Sequence, residues 1–141
     1  MAPRVVLDTN VVVAALRSSR GASFRLISEI DSGHFEICVS VPLVLEYEAV
    51  LVRQARSLGL ARRDVSDFLD YVCSVARRQP IFLLWRPRLK DPGDDMVLEA
   101  AVAAGARYIV TFNKRDFESG HPLPVRLATP QEFLHIIGVP K

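Results

Sequence analysis

The chain has little of what secreted, zinc-stapled or membrane proteins depend on. Its two cysteines, Cys38 and Cys73, lie far apart with no C-x-x-C spacing, which points to isolated buried thiols rather than a disulfide or a zinc site. The histidines His34, His121 and His135 show no ligand spacing either, so any metal must be held by oxygen. No apolar run approaches the roughly 20 residues of a membrane span. The first residues lack the basic start, apolar core and small-residue cleavage site of a signal peptide, so a cytoplasmic protein with no membrane partner is expected. Lysine is scarce too, appearing only at positions 90, 114 and 141. Arginine forks suit phosphate oxygens bidentately, but GC-rich coding also favours arginine, and the bias is supporting information only. A net charge of +2 excludes a large positive field.

What is present is apolar and periodic. Half of the 141 residues are hydrophobic and mean hydropathy is +0.19, which excludes a disordered chain. The length suits one domain, residues 1–141, burying roughly two-thirds of the surface of its unfolded chain. Arg4-Val5-Val6-Leu7 reads as a short strand buried on both faces. Helical patterns follow at 11–16 and at 22–31, the latter with Phe24, Leu26, Ile27 and Ile30 as its apolar set and Gly33 as its stop. Residues 35–39 form a second buried strand, and Pro42 opens a helix reaching about Arg56. After a hinge at Gly59, an amphipathic helix is expected over 62–78, closed by Pro80, then an edge strand over 81–85. Residues 86–95 read as a polar loop and 96–104 as an alanine-rich helix ending at Gly105. Strands at 108–110 and 125–127 follow, and Thr129-Pro130-Gln131-Glu132 is a capping box opening a last helix. Strands alternating with helices argue an α/β protein with a parallel sheet covered on both sides.

Carboxylates recur at the ends of these elements. Asp8 directly follows the first strand, where α/β sheets place their chemistry, although it could equally serve as a cap for the next turn. Glu46 and Glu48 differ by about 200° of helical rotation and cannot share a site. Glu46 falls on the apolar stripe of Leu43 and Val50, where a carboxylate costs several kcal/mol unless it is paired or metal-bound. Its bland alternative is an ion pair with Arg53 or Arg56, and Glu48 is ordinary solvent-facing charge. Asp91, Asp94 and Asp95 surround the start of the alanine-rich helix, more acids than capping needs. Asp116 follows the strand at 108–110, and by residue type alone would be surface charge. Asp8, Glu46, Asp94 and Asp116 thus come from four segments that an α/β topology gathers at one sheet edge. Four like charges there require compensation, and an all-oxygen set suits Mg²⁺ or Mn²⁺. Phosphodiester hydrolysis is the matching chemistry.

Val5-Val6-Leu7-Asp8-Thr9-Asn10, Ser40-x-Pro42 leading to Glu46, Asp91-Pro-Gly-Asp94-Asp95 before Ala101, and Tyr108-Ile-Val-Thr111-x-Asn113 leading to Asp116-Phe117 together resemble the PIN-domain family. The resemblance covers essentially the whole chain and extends to bacterial toxins of toxin–antitoxin systems, the VapC-type ribonucleases. It implies a three-layer α/β/α sandwich with a mainly parallel sheet, Mg²⁺-dependent endoribonuclease activity on RNA, a homodimer, and a cognate antitoxin lying over the active-site groove. It makes Asp8, Glu46, Asp94 and Asp116 the acidic quartet, with Asp8, Asp94 and Asp116 holding the metal. Glu46 would position or deprotonate the attacking water, leaving a 5′-phosphate. Thr9, Asn10, Thr111 and Asn113 match supporting polar positions. Related sequences often read D-P-D-D-N where this one has Gly93 and Asp95; both Asp94 and Asp95 stay open as ligand, the spacing to Ala101 favouring Asp94. Arg86, Arg88, Lys114 and Arg115 are candidate phosphate contacts, with solvated surface charge the alternative for each. Competing readings are a catalytically inert PIN-like module that binds RNA or protein, and a phosphatase or receiver using Asp8. The second conflicts with Asn10, where such phosphatases need a second Asp.

Overall fold

The computed structural model describes residues 2–80, 91–118 and 124–139. Its elements run β1 (Arg4–Leu7), α1 (Thr9–Arg17), α2 (Ala22–Ser28), β2 (Glu36–Val39), α3 (Val41–Leu58), α4 (Arg62–Val75), β3 (Arg77–Arg78), α5 (Pro92–Ala104) and β4 (Tyr108–Val110). A 3-10 turn (Lys114–Phe117), β5 (Arg126–Ala128) and α6 (Pro130–Ile136) complete the order. All five strands are parallel, in the order β3-β2-β1-β4-β5. Along the chain the strands step outward from β1 through β2 to β3, then return past β1 to β4 and β5, with α5 packed on β1, β2 and β4. The result is the α/β/α sandwich expected from the alternation of strands and helices. Among the described residues no helix is long and apolar enough to cross a membrane.

Burial explains each element. Val5, Val6 and Leu7 are fully inaccessible because helices cover both faces of the sheet. In α3, Leu43, Tyr47, Val50 and Leu51 face the core at helical spacing, and the Ser40 hydroxyl caps the start by accepting from the Leu43 N–H. Gly59 ends α3 in the left-handed conformation, where a side chain would be strained. Thr129 and Glu132 form the reciprocal capping box at α6.

Several boundaries differ from the sequence reading. Helix α4 stops at Val75, and Arg77–Arg78, expected as the end of that helix, form an edge strand against β2. Residues 81–85, like Arg86, Arg88 and His121, lie outside the described residues. Helix α5 begins at Pro92 rather than Met96, because Asp91 caps it and Pro92 supplies a pre-set φ; the turn-forming residues are also helix-starting ones. Helix α3 starts at Val41, making Pro42 its second residue. Helix α2 ends at Ser28, and Phe24 is 42% exposed because Ser23 and Leu26 form its inward face. Strand β5 sits one residue later than expected. Cys38 is buried and Cys73 half-buried, and both are free thiols.

The order places β1 and β4 side by side at the point where the winding reverses direction. Open α/β sheets carry a crevice at that point, beyond the carboxyl ends of the strands. Leu7 and Val110 are register partners, so the next residues, Asp8 and Thr111, emerge together at the crevice.

Candidate active site

Asp8 forms the floor of a cleft of about 380 Å³. It is only 5% exposed. Its N–H donates to the Val110 carbonyl at 2.9 Å, extending the β1–β4 ladder by one residue. The Thr111 hydroxyl donates to Asp8 Oδ2 at 2.6 Å and accepts from the Asn113 N–H at 3.0 Å. Thr111 thereby ties the carboxylate of β1 to the turn after β4. That turn continues with the Asp116 N–H donating to the Asn113 carbonyl, and the fully buried Phe117 pins it to the core. Asn113 and Asp116 both line the cleft.

The other wall comes from α3 and α5. The buried Tyr47 hydroxyl donates to the Leu7 carbonyl, which fixes the rotation of α3 against β1 just before Asp8. Glu46, one residue earlier on the helix, then lines the cleft. At the start of α5, Asp91 Oδ1 accepts from the Gly93 N–H at 2.8 Å. The Glu46 carboxylate packs directly on the Gly93 backbone: a Cβ there would lie 2.7 Å from Glu46 Oε2 and 3.3 Å from Asp91 Oδ1. The departure from the D-P-D-D-N pattern at Gly93 therefore makes room for Glu46.

Burial and mutual repulsion govern the charges. Burial raises the Asp8 carboxyl above its ordinary value, the Thr111 and Thr9 hydrogen bonds oppose this, and Asp116 and Asp91 add to it. The Asp94 carboxyl is pushed up to about 7, first by burial and then by Asp8, Asp91, Asp116 and Asp95. Glu46 is raised by burial and by Asp91, with Arg53 pulling the other way. Among the described residues none of Asp8, Glu46, Asp91, Asp94 or Asp116 has a basic partner within 4.0 Å. The alternative of a Glu46 ion pair with Arg53 or Arg56 is thus not realised.

The cleft brings together Asp8, Thr9, Asn10, Glu46, Asp94, Asn113 and Asp116 from the sequence reading. Thr111 supports it from behind as a fully buried hydroxyl. Asp95 does not line the cleft and acts on Asp94 through its charge. Lys114 turns away, ion-paired with Glu132 at 2.6 Å beside a separate hollow over β5 and α6. Arg115 is exposed. Reading the sequence missed four polar lining residues: Asp91, weighed as a cap; Arg53 and Gln54, seven and eight positions after Glu46 and so on the same helical face; and Arg17, at the end of the first helix.

A metal can be judged against this donor set. Among the described residues no three Asp, Glu, His or Cys side chains close into a metal cage. Mg²⁺ does not require one, since it keeps several waters and is typically held by one or two carboxylates. Among the described residues the buried Asn10 Oδ1 has no hydrogen-bond partner, and the carboxylates repel one another with no basic group within 4.0 Å. Such an all-oxygen set of candidate ligands fits a hard, water-rich divalent cation.

A model of the PIN domain matches residues 4–115. The chain belongs to the PIN-domain family. No curated protein matches it. Among solved structures, this PIN protein resembles a chain in the crystal structure of VapBC2 from Rickettsia felis bound to a DNA fragment from their promoter. The TM-score is 0.62 at 15% identity, with 89% of this chain and 98% of that chain covered. At that identity the likeness concerns the fold, and the fold agrees with the parallel α/β/α arrangement described above.

Proposed function

We propose that the whole chain, residues 1–141, is one PIN nuclease domain that hydrolyses RNA phosphodiester bonds endonucleolytically with Mg²⁺ or Mn²⁺. We further propose that it is the toxin of a type II toxin–antitoxin pair, acting as a homodimer restrained by a cognate antitoxin. The observation that carries the catalytic reading is the convergence of Asp8, Glu46, Asp94 and Asp116 on one cleft, with Asp94 driven to about 7 by burial and then by its acidic neighbours. The toxin reading is supported by the likeness to VapBC2 and by family membership.

In this reading Asp8, Asp94 and Asp116 hold the cation directly or through water. A bound Mg²⁺ supplies neutralising charge and Lewis-acid polarisation of a phosphoryl oxygen. Thr111 keeps Asp8 Oδ2 engaged and oriented. Glu46, whose carboxyl is raised by burial and by Asp91, is the more basic for it, and orients or deprotonates the attacking water. Attack in line displaces the RNA 3′ oxygen and leaves a 5′-phosphate. Glu46 can do this only while Gly93 leaves space for it.

The test is cleavage of structured and single-stranded RNA with Mg²⁺, with chelator, and by Asp8→Asn. Cleavage is expected to need the metal and to fall on the order of 10²–10³-fold in the variant, as when one group facing developing charge is removed. Equal cleavage by both proteins refutes the site, and metal binding without cleavage of any RNA favours an inert binding module.

A further inference from the structure

The acidic cleft has a second chemical character at its far end. On α3, Glu46, Val50, Arg53 and Gln54 follow one another at helical spacing and all line the cleft. Seven residues of helix separate Glu46 from Arg53 by about 10 Å along the axis. Arg17, in the last turn of α1, approaches from the other side, and its guanidinium donates to Gln54 Oε1 at 3.2 Å. Among the described residues neither Arg17 nor Arg53 has a carboxylate within 4.0 Å. A neutral amide therefore positions Arg17 without cancelling its charge, and most of its five N–H donors remain available.

Resting on the nuclease reading, we infer that Arg17 and Arg53, with Gln54 as the positioning residue for Arg17, form a subsite for a backbone phosphate neighbouring the scissile one on a single strand of RNA. The charge balance calls for such a subsite. Asp8, Glu46, Asp91, Asp94 and Asp116 outweigh one divalent ion, and a polyanion would still be repelled. Two guanidiniums at the opposite end offset part of that excess and suit phosphate oxygens. Arg53 stands about 10 Å beyond Glu46 along the α3 axis, which places the pair alongside the next backbone phosphate rather than over the scissile one. Strandedness follows from depth: Asp8 is 5% exposed on the floor of a cleft of about 380 Å³, which an unpaired strand can enter and a paired helix cannot.

The assay is fluorescence anisotropy of a fluorescein-labelled ten-nucleotide RNA, single-stranded or annealed to its complement, with excess EDTA over a salt series. The proteins are wild type, Arg17→Gln, Arg53→Gln, Arg17→Lys and, as a control on α4, Arg63→Gln. Each glutamine variant in the cleft is expected to weaken single-strand binding roughly tenfold, the scale of a charge-assisted hydrogen bond. Each also lowers the slope of log affinity against log salt by about 0.7, one phosphate contact on a single strand. Arg17→Lys keeps the slope, Arg63→Gln behaves as wild type, and the duplex binds more weakly throughout. The subsite is overturned if both glutamine variants keep wild-type affinity and slope, if duplex binds as well as single strand, or if a polyglutamate peptide of equal charge binds more tightly than RNA. Mg²⁺-dependent cleavage by the wild type separates the two readings: cutting with unchanged Arg variants leaves the nuclease and removes the subsite, whereas arginine-dependent binding without cutting does the reverse.

Discussion

Replacing Gly93 with alanine separates folding from chemistry at this site. The added Cβ would lie 2.7 Å from Glu46 Oε2, against 3.4 Å or more for ordinary contact, so the carboxylate must withdraw by about 0.7 Å. The obstacle is the far end of a flexible side chain, and Gly93 has no positive φ, so the backbone accepts alanine. Removing glycine's freedom from the unfolded chain is worth about 0.4–1 kcal/mol. Stability should therefore hold or rise by up to about 1 kcal/mol. Activity should move the other way, since a displacement of order 1 Å in a catalytic group can cost about 10²-fold. Thermal melting and single-turnover RNA cleavage, run on the same preparations, read the two effects. Wild-type cleavage by the alanine variant would show that the position of Glu46 does not depend on this contact. A large loss of stability would refute the assignment of Glu46 as the part that yields.

Two other outcomes follow from the site. Asp94 is held at about 7 in the folded chain against 3.8 as its ordinary value, so the folded state binds more protons between those values. Metal-free protein in chelator should gain stability as pH falls from 8 towards 4, about 1–2 kcal/mol after allowance for partial exposure, and Asp94→Asn should flatten that dependence in denaturant titrations; a wild-type profile unchanged over this range refutes the coupling. Thr111→Val removes the hydroxyl that holds Asp8 Oδ2 and receives the Asn113 N–H. It should cost about 1–3 kcal/mol and lower cleavage, with Thr111→Ser restoring most of both; failure of serine to rescue would assign the effect to packing instead.

Elements whose signals are local were legible in the sequence. The buried triplet Val5-Val6-Leu7 and the Thr129 box each contain their own cause within a few residues. Boundaries set by competition were harder. Asp91-Pro92-Gly93 suits a turn and a helix start equally, and only packing of α5 on the sheet decides between them. Within the site, strand ends and apolar stripes singled out Asp8 and Glu46, because a carboxylate there conflicts with its surroundings. Arg17 carries no such conflict: it is exposed, and nothing in the chain around it reveals that α1 ends beside Gln54. The closeness of Glu46 to Gly93 is likewise a contact between helices, beyond the reach of spacing.

The hydrogen bond between Thr111 and Asp8 spans 103 residues. Protein synthesis therefore delivers Asp8 103 residues before the hydroxyl that engages it. A ribosome-bound chain that has released β1 through α5 carries the aspartate but neither the hydroxyl that orients it nor Asp116. In the proposed nuclease reading, the site is incomplete until both segments have been made and folded together.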